Sequence, residues 1–306
     1  MIRLLRRHGS LHWSAPRLPA GRVYFLRKTL RMRTNLFHSL TALLLLSLSL
    51  GSVSSASAAP QPATLRIGFV PGPYIDEFKL GVQPELEKKG YKLKYYEFST
   101  GLEANSAVFK GDIEANVMQH SVFLKSYNDR NKTDLVGIVQ VPTPPMGLYS
   151  KKHRNLDGLK KGFTVAVPND PVNLQRALWI LQRLGWIRIK DQANPVDVTE
   201  LDVVENKVGL KLVLLENAQG PRALDDADFA AVQGNFAIFA KLKLSDAFIL
   251  EDMSSSYVNV LAVKKTKQNE AFARDLVEAY RSDNFQKAIR ADHFYDGFRL
   301  PDYFKK

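Results

Sequence analysis

FTVAVPNDPVNLQRALWILQRLGW, residues Phe163 to Trp186, fixes the class of fold more firmly than any other part of the chain. Phe163 to Val167 is an apolar, β-branched run of strand length, and Pro168 breaks it. Asp170-Pro171 then supplies an N-cap and a first-turn proline for the amphipathic segment that comes next. A strand running into a helix is the repeating unit of an α/β sheet. Asn173 and Arg176 lie three apart, so on that helix they share one face in its first turns, beside amides with no intrahelical partner. Arginine offers a planar fork that matches a carboxylate, asparagine adds a neutral donor and acceptor, and the helix end adds further donors. The spacing fits a carboxylate trap, and equally an N-capped surface helix with a solvated arginine.

The same alternation recurs on both sides. Upstream, Leu65 to Val70 reads as a strand, Ile75 to Lys89 as a helix interrupted at Gly81 and Pro84, and Tyr91 to Phe98 as a second strand. A loop carrying Gly101 leads to a helix ending near Gly111, then a strand (112–117), a helix (119–130) and a strand (134–139). The rigid PTPPMG segment, Pro142 to Gly147, precedes LYSKK as a crossover strand. Downstream of the opening stretch come a helix near 199–204, a strand at 211–215, a short strand at 229–232 and a helix from Gly234 to about Lys241. SYVNVLAVKK, Ser256 to Lys265, is the return crossover, and helices at 269–281 and 285–293 close the chain. Alternating strands and helices predict parallel sheets covered on both faces.

Charge separates a leader from the rest. The 306 residues carry a formal charge of +12, yet no Asp or Glu precedes Asp76, while nine Lys or Arg fall within the first 33 residues. Without those nine, 34 basic residues face 31 acidic ones, so the remainder is close to neutral and lacks the positive stripe that nucleic-acid binding needs. Arg31 and Arg33, the apolar run Leu36 to Leu50 and the small residues Ala56-Ser57-Ala58 form the three regions of a secretory signal, with cleavage expected after Ala58. The apolar run is shorter than the roughly 20 residues of a membrane span. Met32 stands where such a signal would begin, so translation from Met1 or from Met32 remains open. No cysteine occurs, which excludes disulfides and thiol chemistry.

VAVPNDPVNLQRALWILQRLGWIRIKD, with GDIEANVMQH upstream, YSKK at Tyr149 to Lys152, LDVVEN at Leu201 to Asn206 and PRALDDAD at Pro221 to Asp228, resembles the methionine-binding substrate-binding proteins of bacterial ABC importers, the NlpA lipoprotein family. The blocks stand in the family's order and span nearly all of the chain after residue 64. The resemblance implies a type 2 periplasmic binding protein, an α/β fold of two lobes joined by two crossover strands. Residues 64–145 with 260–306 would form lobe 1, residues 146–259 lobe 2, and residues 1–58 a cleaved leader. It implies an amino-acid ligand between the lobes, methionine or a related apolar amino acid. The partners it implies are a permease and its cytoplasmic ATPase, and it implies neither catalysis nor a cofactor or metal. Many relatives carry lipid on an N-terminal cysteine; here none exists, so a soluble periplasmic monomer without a membrane anchor is expected.

Carried onto this sequence, the family pattern assigns the ligand's charged end to Arg176, Asn173 and Asn235. Its FQHxxYL wall reads Met118-Gln119-His120-Ser121-Val122-Phe123-Leu124, which keeps His120 but places Met118 and Phe123 at aromatic positions, and Gly101 aligns with a family tyrosine. The aromatic cage for a thioether is thinned, so selectivity toward a methionine derivative, a bulkier apolar amino acid or a dipeptide stays open. The rival from another class is a secreted α/β enzyme using His120 with Asp112 or Glu114, which lacks an activated nucleophile, a Walker A or a G-x-S-x-G motif. A sensory binding module would look the same from sequence.

Overall fold

The computed structural model describes residues 64–191, 194 and 196–305; the leader, the cleavage site after Ala58 and the tether before residue 64 lie outside these. The first lobe is built from β1 (Thr64–Phe69), α1 (Tyr74–Glu77), a π-helical turn (Phe78–Val82), α2 (Gln83–Lys88), β2 (Lys92–Glu97), α3 (Gly101–Lys110), β3 (Ala115–His120), α4 (Ser121–Asn131) and β4 (Leu135–Gln140). The second contains β5 (Gly147–Tyr149), β6 (Thr164–Pro168), α5 (Pro171–Arg183), β7 (Ile187–Ile189), β8 (Val203–Asn206), β9 (Lys211–Leu215), α6 (Gly220–Ala223), β10 (Phe229–Val232), α7 (Gly234–Phe239) and β11 (Ile249–Leu250). β12 (Asn259–Lys264) then returns to the first lobe, followed by α8 (Ala271–Arg281) and α9 (Asp283–Ala291).

The first sheet has the order β2-β1-β3-β12-β4. β1 pairs in parallel with β2 and β3, but β12 runs antiparallel to both β3 and β4. The purely parallel expectation fails there for a simple reason: β12 enters from the other lobe and so runs against the strands that leave this one. The second sheet, β11-β5-β10-β6-β9, repeats the scheme, with β6 parallel to β9 and β10 while β5 lies antiparallel to β10 and β11. Leu148 and Tyr149 of the expected crossover strand LYSKK thus belong to the second sheet, and Ser150 to Lys152 lie beyond the strand.

Three local departures from the sequence expectation shape the two lobes. The third strand begins three residues later than its alternation suggests, which carries Met118, Gln119 and His120 to its C-terminal end. Gly101 opens α3 instead of lying in a loop, because Thr100 and Glu103 form a reciprocal capping box just before it. The segment near 199–204 is a 3-10 turn, Glu200–Asp202, followed by β8, which pairs with β7; three of the four β8 residues are exposed, so no apolar alternation marks the strand.

Each sheet has its own core. Ile67, Phe69, Phe78, Leu261, Leu276 and Phe285 are fully buried in the first, and Met146, Val165, Leu178, Leu181 and Phe229 in the second. The π-helical turn carries Gly81 against α9, where an added Cβ would stand 2.9 Å from Phe285 Cα, so only glycine permits that approach. Glu77, immediately before the turn, is buried among tyrosines, and neither carboxyl oxygen has a hydrogen-bond partner among the described residues. Burial pushes its pKa well above the usual carboxylate value, so it is held as the neutral acid.

Candidate functional site

The C-terminal ends of β3, β6 and β10 face one another across a cleft between the lobes, as open α/β sheets generally place their ligands. The empty space in the cleft and at its mouth, open solvent included, is about 610 Å³. All seven residues singled out from sequence, Gly101, Met118, His120, Phe123, Asn173, Arg176 and Asn235, line it.

On the second-lobe side the geometry starts with Asp170. Its Oδ1 accepts the Asn173 amide at 2.9 Å, the N-cap bond expected from sequence, and its Oδ2 accepts the Asn173 side-chain amide at 3.0 Å and that of Asn217 at 2.8 Å. This turns Asn173 so that its Oδ1 accepts from Arg176 Nη1 at 2.8 Å. The guanidinium is therefore fixed from one side by an asparagine that is itself fixed. From the other side Glu251 holds it bidentately, Oε2 accepting from Nε at 2.9 Å and Oε1 accepting from Nη2. Arg176 and Glu251 are only 5% and 8% exposed as side chains. Burial alone would lower the arginine pKa, but the charge and hydrogen bonds of Glu251 outweigh it and raise it. Among the described residues, three of the five guanidinium N–H groups are taken, which leaves one each on Nη1 and Nη2.

The first-lobe side presents a neutral wall. His120 ends β3 and caps α4: its Nδ1 accepts from the Phe123 amide at 3.3 Å, so the proton sits on Nε2, which lies 3.4 Å from Asn173 Oδ1 across the cleft. Burial first, then the Arg176 charge, drives its pKa well below the usual imidazole value despite the Asn173 contact, and the ring is neutral. The Tyr257 ring lies tilted against that ring, with 4.8 Å between centroids, and its own centroid is 5.7 Å from the guanidinium carbon. Behind this wall Asn105, Asn116 and Gln119 form a buried amide triad; Asn105 Nδ2 donates to Gln119 Oε1 at 2.7 Å, and Gln119 Nε2 returns to Asn105 Oδ1 at 2.6 Å. Amides satisfied by one another fix Gln119, whose side chain lines the cleft, without placing a charge near it.

Asn235 takes a different part from its neighbours. Its Nδ2 donates to Pro71 O at 2.9 Å, across to the β1–α1 loop, and a Cβ on Gly72 would stand 2.7 Å from the Asn235 Cβ. Gln233, at the N-cap of α7, is buried and lines the cleft beside it, as do Tyr74, Phe236 and Asn259. Sequence reasoning missed these four. A polar residue ending the apolar run FAAV is the one signal that could have found Gln233. The acid–base pairing considered for an enzyme does not form: Glu114 bonds Arg66 at one end of β3 and His120 stands at the other, on the order of 20 Å away at 3.3 Å per residue.

Two α/β lobes with a buried, paired cation facing a neutral wall across a cleft define a substrate-binding protein of the kind that serves ABC importers. Residues 65–303 match the model of the NlpA lipoprotein family, and the chain belongs to that family. It is 34% identical over 248 residues to the probable D-methionine-binding lipoprotein MetQ of Pasteurella multocida, covering 79% of this chain and 89% of the relative. The D-methionine-binding lipoprotein MetQ of Escherichia coli K12 is 34% identical over 243 residues, 78% of this chain and 89% of its own. Among solved structures, a nutrient-binding protein from Burkholderia cenocepacia bound to methionine superposes with a TM-score of 0.72 at 34% identity, covering 77% of this chain and 99% of that one. A periplasmic substrate-binding protein of an ABC transporter from Coxiella burnetii gives 0.72 at 35% identity, with 78% and 100% covered.

Proposed function

We propose that this chain is the periplasmic solute-binding component of an ABC importer and that it holds methionine, or an apolar amino acid of similar size, in the cleft between its lobes. The observation that carries the reading is Arg176, buried and oriented by Asn173, with Met118, Phe123 and Phe236 lining the same cleft: a guanidinium with N–H groups to offer and apolar side chains within one cavity. In this reading the carboxylate sits on the two free guanidinium N–H groups and the ligand's side chain lies against Met118 and Phe123; methionine as the ligand is what the names of the relatives suggest. Asn235 ties the lobes together and orients the ligand's head with Gln233. The protein delivers its ligand to a permease driven by a cytoplasmic ATPase and performs no chemistry. Lobe 1 comprises residues 64–145 with 260–306, and lobe 2 residues 146–259. The mature chain starts after Ala58 and acts as a monomer without a lipid anchor, since no cysteine is available to acylate.

The test is a thermal-shift screen of residues 59–306 against L- and D-methionine, other apolar amino acids and short peptides. A ligand that binds only the native state raises the midpoint as its excess over Kd grows, by the equivalent of about 2.7 kcal/mol at 100 times Kd. Stabilisation by methionine above that by leucine or phenylalanine is expected; no response to any amino acid overturns the reading.

A further inference from the structure

Glu251 lies 75 residues from Arg176 in sequence, at the end of β11 where the chain turns back toward the first lobe. It is not part of the cleft wall. Both of its oxygens are committed: Oε2 to Arg176 Nε, and Oε1 to Arg176 Nη2 and to the Met146 amide at 2.6 Å. Its own backbone N–H donates to Met146 O at 2.9 Å, so the carboxylate is pinned to the segment that leads out of the first lobe. The guanidinium a ligand meets has therefore been neutralised before the ligand arrives.

The other charges around the cleft leave that balance in place. His120 is neutral, Asp170 faces the N-terminus of α5 and its amides, and Glu216 stands at the exposed rim. A guest with a lone carboxylate would bring an uncompensated negative charge into a site whose two buried charges already cancel. A zwitterion brings none. The geometry points to Glu251 as the residue that sets the charge class of the ligand: acting through Arg176, it makes the cleft select a zwitterion over a simple carboxylate or an inorganic anion. This rests on the reading of the cleft as an amino-acid site and adds a specificity-determining residue that touches no ligand.

The experiment compares the unmodified protein with Glu251→Gln by calorimetry against methionine and against 4-(methylthio)butanoate, which keeps the carboxylate and thioether and lacks the ammonium. The affinity ratio favouring methionine is expected to narrow at least tenfold in the variant. A second arm uses sulfate alone and needs no amino acid: Glu251→Gln gains a saturable, sulfate-dependent rise in melting temperature beyond that of the parent. An unchanged ratio, with both ligands weakened equally, overturns the proposal, as does an absent sulfate response. Failure of the unmodified protein to bind methionine would count against the function proposed above and leave the sulfate arm decisive. Should Glu251→Gln not fold, the double variant Arg176→Gln/Glu251→Gln removes both charges together. Its folding is expected if the defect was an unpaired guanidinium; its failure assigns Glu251 a scaffold role and overturns the proposal.

Discussion

Two glutamates with enclosed carboxyl groups, one in each lobe, have opposite fates. Glu77, 1% exposed in the first lobe, has no hydrogen-bond partner for either oxygen among the described residues and keeps its proton. Glu251 in the second lobe is held by a guanidinium on two sides and by a backbone amide. Burial by itself makes a carboxyl group a neutral, costly passenger; burial with an arginine makes it half of an electrostatic device. The difference also divides labour across the cleft, with charge confined to the second lobe and shape, supplied by Met118, Phe123 and the amide triad, to the first.

Removing the guanidinium erases that difference most completely. Arg176→Ala should put Glu251 in the position of Glu77, destabilising the fold by about 3 to 5 kcal/mol and abolishing methionine binding, read by denaturant titration and calorimetry. Binding that survives undiminished would place the ligand elsewhere. Next comes Glu77→Leu. Below its unfolded value of 4.5 the carboxyl carries a proton in both states; above it the unfolded chain ionises and the folded protein does not, so parent stability falls with rising pH by up to about 1.4 kcal/mol per unit until the raised folded pKa is reached. The variant should therefore gain stability over the parent at pH 8 and little at pH 4, and a constant offset would sink the idea that Glu77 is neutral when folded.

A smaller effect belongs to a paired carboxylate near the surface. Burial raises the Asp228 pKa, but the Thr164 amide and hydroxyl together with the His153 ring outweigh it and bring it down to about 2, from an ordinary 3.8. Asp228 thus contributes stability that is complete above pH 4 and vanishes as the pH falls through 2. Asp228→Asn should lose about 1 to 2 kcal/mol at pH 7 and nothing near pH 2, measured by thermal unfolding across that range. Smallest is Met118→Leu, a volume-conserving change on the neutral wall. It should cost under about 1.5 kcal/mol of stability while shifting the methionine-to-leucine preference severalfold.

What could be seen in the chain beforehand was local. Asp170, Asn173 and Arg176 declare themselves because a cap and an i,i+3 pair are written within seven residues, and the strand Lys211 to Leu215 because its apolar run is bounded by turns. Glu251 did not, since what makes it important is a partner 75 residues away and no periodicity marks it. The β8 strand failed because three of its four residues are exposed and show no apolar alternation, and the π-helical turn because one wide turn differs from an α-helix by a hydrogen-bond offset that composition does not encode. His120, expected as a pocket residue, proved also to be the cap of α4, which fixes its tautomer.

The two links between the lobes are unequal in stiffness. Pro142, Pro144 and Pro145 lock three backbone torsions on the outgoing link, and Thr143 between them is tied by backbone bonds to Arg299 and by its hydroxyl to Asn259. The returning link, Asp252 to Ser256, has no proline and reads DMSSS. The serine run passes into a 3-10 turn, Ser255–Tyr257, and carries no fixed torsion of the proline kind, so any gape of the jaws is expected to fall mostly on the serines. Amide exchange should run faster at Ser254 to Ser256 than at Thr143, and a proline written into the serine run should slow ligand release more than it weakens affinity.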